Sequence, residues 1–204
     1  MNRELRYAAL LLTLAACGGD SPTGPAVGDE RPEALLRILE LAESAPPLFN
    51  PEVSFWARRG QGTEIGIYFQ DPEGKRGEKF AELDLDGESL QSYPDGRPFA
   101  NGDSVLITMR VVDPAKLMVE LSPAGLTFNP AKPAELEFRY QFADDDFNQD
   151  GRTDDEDAKI EAILGIWRQA TPGAPFVRLG TVSIEELEEL DAALLGFSRL
   201  IIAY

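Results

Sequence analysis

Six stretches of this chain alternate apolar and polar residues with a period of two, and that alternation leaves few folds open. In 63–69, "TEIGIYF", Ile65, Ile67 and Phe69 oppose Glu64, Gly66 and Tyr68. In 81–90, "AELDLDGESL", Ala81, Leu83 and Leu85 oppose Glu82, Asp84 and Asp86. The stretch "SVLITMRVV" aligns Val105, Ile107, Met109 and Val111, and "KLMVEL" aligns Leu117, Val119 and Leu121. In "ELEFRYQF", Leu136, Phe138, Tyr140 and Phe142 oppose Glu135, Glu137, Arg139 and Gln141; "SRLIIAY" closes the chain. Successive side chains of a strand point to opposite faces, so such stretches bury one face and wet the other. Between them lie "DPEGKRG", "YPDGRPFANGD", "SPAG", "NPAKP" and "ATPGAP". These are turn sequences, because Gly supplies positive φ, Pro presets φ, and Asp or Asn bonds its own backbone. Short strands with turns between them predict a mainly β protein, an antiparallel β-sandwich, over 48–204. No Gly-rich phosphate loop follows a strand, so nucleotide binding is not indicated.

Three segments depart from the pattern. In 32–44, "PEALLRILELAES", Leu35, Ile38, Leu39 and Ala42 share one helical face, and Pro32 suits a first helical position. This predicts a short N-terminal helix, with Pro46-Pro47 ending a helix-and-linker unit over 32–47. It lacks the Lys/Arg-rich face of a membrane-surface helix, so packing on the domain is expected. In 183–196, Ser183…Glu186 resembles a capping box, yet 192–195 can hairpin through Gly196 onto 198–204; a strand is expected over the later half. The third is "DFNQDGRTDDED", 146–157, with six acids in twelve residues.

Gly151 sets the register of that acidic stretch. Numbered from Asp146, oxygen donors fall at position 1 (Asp146), 3 (Asn148) and 5 (Asp150), and Gly151 is position 6. Arg152 at position 7 offers its backbone carbonyl, Asp154 is position 9, and Asp157 is position 12. This is the order of the EF-hand calcium loop: alternate side chains point inward, and glycine permits the sharp turn. At ordinary residue frequencies a full match arises in roughly one window per million, so chance is a poor explanation even in an acidic chain. A calcium site is therefore expected at Asp146, Asn148, Asp150, Arg152, Asp154 and Asp157, followed by a short helix at 155–163. The loop resembles the dockerin version of the motif, which also closes on Asp. It departs at Thr153, where dockerins carry an apolar residue that pairs with a second loop, and no second loop is found. A solitary site suits a structural clamp, with a Kd of roughly 10⁻⁴ to 10⁻³ M.

The N-terminus reads "MNRELRYAALLLTLAACGGDSPTGP". Arg3 and Arg6 precede an apolar run from Ala8 to Ala16 that is too short to span a bilayer, which takes ~20 residues. Leu14-Ala15-Ala16-Cys17 resembles the lipobox of bacterial lipoproteins, whose signal is cut before an acylated cysteine. The resemblance implies a signal peptide over 1–16, lipidation of Cys17, and a membrane-anchored protein of the cell envelope. Gly18 stands where some bacteria place an inner-membrane retention aspartate, which favours the outer membrane. Residues 17–31, rich in Gly, Pro, Ser and Asp, are expected to form a flexible tether.

Composition excludes several chemistries. Cys17 is the one cysteine and there is no histidine, so disulfides within the chain, thiol catalysis and imidazole chemistry are absent. The chain carries 19 Lys+Arg against 36 Asp+Glu, net −17. Such a surface repels nucleic acid and anionic headgroups and suits cations or basic partners.

Residues 119–140, 164–182 and 194–204 together resemble a sandwich domain found in zonula occludens, ankyrin and netrin-receptor proteins. The shared features are the Ser122–Leu126 turn, the "LGIWRQ" strand and a Gly196-Phe197-Ser198 corner that lacks the family's histidine. The resemblance implies an interaction module without catalysis. The readings are thus a lipid-anchored, calcium-stabilised binding or structural module with a protein or glycan partner, a carboxylate-based glycan hydrolase, or a dockerin-like adaptor. Trp56, Tyr68, Tyr93 and Trp167 are the aromatics that could line a glycan surface, although at strand spacing such residues are usually core.

Overall fold

A computed structural model describes residues 27–204. The signal segment, Cys17 and most of the tether lie outside the described residues. In chain order the strands are β1 (Glu30–Arg31), β2 (Glu52–Arg58), β3 (Thr63–Gln70), β4 (Arg76–Leu85), β5 (Leu90–Ser92), β6 (Ser104–Val111), β7 (Met118–Ser122), β8 (Thr127–Phe128) and β9 (Ala134–Arg139). One helix, α1 (Asp155–Glu161), follows, then β10 (Gly165–Gln169), β11 (Phe176–Arg178), β12 (Thr181–Ile184), β13 (Glu189–Leu194) and β14 (Arg199–Ala203).

The strands form a seven-stranded sheet, β1-β11-β10-β14-β7-β6-β2, and a five-stranded sheet, β12-β13-β9-β4-β3, with a small β5-β8 pair. Neighbouring strands run antiparallel throughout. The alternation predicts which residues meet between the sheets. Ile67, Phe69, Ala81, Leu83, Leu136 and Phe138 of the smaller sheet join Ile107, Met109, Val119, Leu121, Leu200 and Ile202 of the larger one in a single buried cluster. Edge-to-face aromatic pairs, Phe69 with Phe80 and Phe80 with Phe138, fix the rings within it. The mainly β, antiparallel sandwich expected from the sequence is what forms.

The second face of the larger sheet is also partly covered. Met118, Trp167, Phe176, Ile201 and Ala203 form a second cluster there, sealed by Leu36. Of the helix expected over 32–44, a single 3₁₀ turn at Glu33–Leu35 forms. Beyond it the chain is an extended strap. Arg37 and Tyr204 exchange backbone hydrogen bonds, Leu39 N–H donates to Ile202, and Leu117 N–H donates to Leu39. The strap thus fits where β14 and β7 diverge, and Leu36 and Leu39 are buried by it.

Two other expectations can be compared directly. The tether expected to reach residue 31 ends earlier, because Glu30 and Arg31 pair with Val177 and Phe176 and Arg31 lies over the Trp167 ring. In 183–196 a 3₁₀ turn at Glu185–Leu187 is followed by β13, so the later half is strand, as expected.

Candidate functional site

The acidic loop is inserted between β9 and β10, on the same connection as α1. Its root is fixed by the core and by the chain ends. Phe147 packs into the main cluster, and its carbonyl accepts the Tyr204 hydroxyl. Asp144 N–H donates to the Glu40 carbonyl of the strap.

Within the loop, carboxylates and amides fold the backbone around the acidic side chains. Asp146 accepts Asp150 N–H at 3.0 Å and Gly151 N–H at 2.7 Å on its two oxygens. Asn148 Oδ1 accepts Asp150 N–H at 2.8 Å, and Asp150 Oδ1 accepts Arg152 N–H at 2.9 Å. Positions 1, 3 and 5 are therefore successive side-chain-closed turns, as Asp and Asn readily form. Gly151 has φ +86°, the left-handed conformation that requires glycine there. Gln149 also adopts positive φ, 61°, a feature its sequence did not signal.

Positions 9 and 12 belong to the helix start. Asp154 is the N-cap of α1 and accepts Glu156 N–H at 2.9 Å. Asp157 completes a capping box by accepting Asp154 N–H at 2.9 Å, and its other oxygen accepts Asn148 N–H at 3.2 Å. Asp157 is 2 % exposed, whereas Asp146, Asp150 and Asp154 are less enclosed. The N–H of Asp154, then that of Asn148, holds the Asp157 carboxyl below its ordinary range against the opposing effect of burial. Among the described residues, none of the four loop aspartates is in an ion pair with Lys or Arg.

The donor chemistry fits a hard divalent cation: four carboxylates, one amide oxygen and the Arg152 carbonyl, all oxygens. The fit lies in chain order and turn geometry. The loop aspartates are not drawn into a tight triad. The one set of three carboxylates with oxygens within 4.8 Å of one another among the described residues is Glu137, Glu189 and Asp191. These belong to the outer face of the five-stranded sheet, a grouping that strand alternation alone did not reveal.

Register explains that second cluster. Glu82 lies opposite Glu137, and Glu137 opposite Asp191; in the next row Glu64 lies opposite Asp84, and Asp84 opposite Glu135. Cations from the same sheet compensate part of this charge. Lys79 bonds Glu82 at 2.6 Å and Glu137 at 2.9 Å, and Arg139 bonds Glu137 at 2.9 Å and Glu189 at 2.5 Å. Burial, then Glu137, raises the pKa of Glu189 and of Asp191. Burial also pushes Glu137 upward, but its bonds from Arg139 and Lys79 outweigh this and leave it lowered.

The aromatics singled out for a glycan surface do not converge on one cleft. Trp167 is fully buried and donates its indole N–H to Ala203 at 3.0 Å. Tyr93 stacks on Phe99, and Tyr68 is covered by Arg76. Trp56 is 68 % exposed, opposite the half-exposed Leu106 of β6. No known protein family, curated protein or solved structure matches this chain.

Proposed function

We propose that this chain is a lipid-anchored exported β-sandwich, clamped by one calcium ion at Asp146–Asp157, that serves as a binding or structural module of the cell envelope. The carrying observation is the loop itself. Asp146, Asn148 and Asp150 each close a turn with a downstream N–H, Gly151 supplies the left-handed step, and Asp157 folds back over the loop. In the calcium-bound form Asp146, Asn148, Asp150 and Asp157 hold the ion directly, Arg152 through its carbonyl, and Asp154 through water or its carboxylate. The ion supplies charge neutralisation and crosslinks the loop to the start of α1. Anchorage rests on the Leu14–Cys17 lipobox, with Cys17 as the acylated residue.

The bonding of Lys79 and Arg139 to the sheet carboxylates favours a structural role for that face over a pair of hydrolytic acids. The single loop with Thr153 at its eighth position argues against cohesin docking.

The test is thermal melting with calcium, magnesium or chelator. At ten times its Kd, a one-site ligand stabilises by about 1.4 kcal/mol, which in a domain of this size raises Tm by roughly 3–6 °C. Asp146→Ala combined with Asp150→Ala should abolish the calcium response. A Tm indifferent to 10 mM calcium would refute the clamp. Separately, Cys17→Ser should move the protein from the membrane to the soluble envelope fraction.

A further inference from the structure

β2 ends the seven-stranded sheet, at the edge opposite β1. Its ladder with β6 runs without a bulge from Glu52↔Arg110 to Arg58↔Ser104. Hydrogen bonds at the two ends fix which residues face β6: the Pro51 carbonyl accepts Val111 N–H, and Arg59 N–H donates to the Asp103 carbonyl. An antiparallel ladder bonds alternate residues, so Val53, Phe55 and Ala57 turn their N–H and C=O groups to β6. Those of Glu52, Ser54, Trp56 and Arg58 point away from the sheet. Among the described residues, the peptide groups of Ser54 and Trp56 find no hydrogen-bond partner, while the Arg58 carbonyl accepts Gln61 N–H.

Open edges invite pairing, and natural ones are guarded by proline, bulges, lysine or a covering segment. The other three terminal strands are guarded or offer little. β1 is two residues long. β3 is covered by the strap, where Leu48 bridges Phe69 and Phe49 N–H donates to the Tyr68 carbonyl. β12 has four residues, and Glu185 and Glu186 follow it directly. β2 has seven residues, with no proline and no lysine. It carries the exposed Trp56 beside Leu106, and Phe55 is only half-buried against the main cluster.

We propose that β2 is a dimerisation edge, pairing antiparallel with β2 of a second copy of this chain about a two-fold axis at Phe55. Charge selects both partner and register. Glu52 and Arg58 stand at opposite ends of the strand, equally far from Phe55. Antiparallel self-pairing therefore sets Glu52 against the partner's Arg58 and Arg58 against the partner's Glu52, and this register overlaps the whole strand. It also matches the outward groups. Ser54 pairs with the partner's Trp56 and Trp56 with the partner's Ser54, each pair exchanging two main-chain hydrogen bonds. The two Trp56 side chains become diagonal neighbours, about 7–8 Å apart, a span that aromatic rings close. The two Phe55 side chains face each other on the inner side and extend the core across the axis. The described chain enters at β1, so anchorage through the N-terminus and pairing through β2 use opposite edges of the sheet. None of these residues belongs to the acidic loop, so the dimer stands apart from the calcium reading.

The test is sedimentation velocity of the full chain carrying Cys17→Ser, which removes acylation and any disulfide between copies. A single strand edge makes a small interface, so concentrations up to about 500 µM are needed. A monomer–dimer exchange is expected. Ser54→Pro deletes an outward N–H that no bond within the chain uses; it should abolish the dimer and keep the circular dichroism of the wild type. Glu52→Arg or Arg58→Glu alone sets like charges together at both ends of the pair and should weaken dimerisation about tenfold. An equimolar mixture of these two variants restores opposite charges at both ends and should recover the wild-type affinity. A chain that stays monomeric throughout the range overturns the proposal. So does a folded Ser54→Pro that dimerises like the wild type, or a mixture of the charge variants that associates no more tightly than either alone.

Discussion

Reversing one charge on the acidic face of the five-stranded sheet should stabilise the protein. Asp84 is exposed and lies directly opposite Glu135 on β9 and Glu64 on β3. Side chains directly opposite in an antiparallel pair sit with Cβ atoms about 5 Å apart, and like charges there destabilise. Asp84→Lys replaces the repulsion from Glu135 with attraction. Cross-strand charge pairs are worth roughly 0.2–1 kcal/mol each way, and solvent holds exposed pairs toward the lower end. The Asp84/Glu135 contact alone should thus contribute roughly 0.4–1 kcal/mol of stabilisation, and the Glu64 contact adds in the same direction. In a domain of this size the expected rise in Tm is roughly 1–4 °C. Thermal melts in 10 mM and 1 M NaCl separate this cause from any packing effect. The Debye length falls to about 3 Å in 1 M salt, so the gain should largely vanish there. An unchanged or lower Tm at low salt would refute the account, and so would a gain that survives 1 M NaCl.

Trp167→Ala should destabilise by about 3–5 kcal/mol, since the ring is fully buried and its N–H satisfies Ala203; urea unfolding measures it, and a loss under 1 kcal/mol would contradict the burial. The stability–pH profile should peak on the acid side of neutrality. Glu189 and Asp191 have raised folded pKa values, so their charged forms weaken the fold and stability increases as pH falls from 7 through those values. Asp157 has a lowered folded pKa, so its contribution is present above its unfolded value and is lost as pH falls through the folded one. Tm measured from pH 7 to pH 2 should therefore rise and then fall; a steady decline from pH 7 would place the dominant groups elsewhere.

Strand alternation made the core legible. Every position of the Val105–Val111 and Leu117–Leu121 sets is buried, because period-two apolarity has one physical meaning once turns bound it. The acidic loop was legible for a similar reason: Gly151 permits one register only. Register between strands was not legible. Nothing local to Glu82, Glu137 or Asp191 says that they will lie side by side, since the pairing is set by turn lengths and by which strands neighbour each other across separations of 55 (Glu82 to Glu137) and 54 (Glu137 to Asp191) positions.

The strap shows why helical spacing can mislead. Leu35, Ile38, Leu39 and Ala42 fit one helical face, and intrinsic propensity for that segment is good. A short helix in water gains little from propensity alone and depends on a surface to pack against. Here the larger sheet offers something else: unpaired backbone groups where β14 and β7 diverge, and an exposed apolar patch around Trp167. An extended chain satisfies both. Its amides and carbonyls pair with Ile202, Leu117 and Tyr204 while Leu36 covers the patch and Leu39 enters the main core. A helix would have satisfied its own backbone and left those sheet groups buried and unbonded, which costs about 1–3 kcal/mol each. Several such groups outweigh the few tenths of a kcal/mol per residue that separate helix propensities, so the edge of the sheet, not the local pattern, decides the conformation.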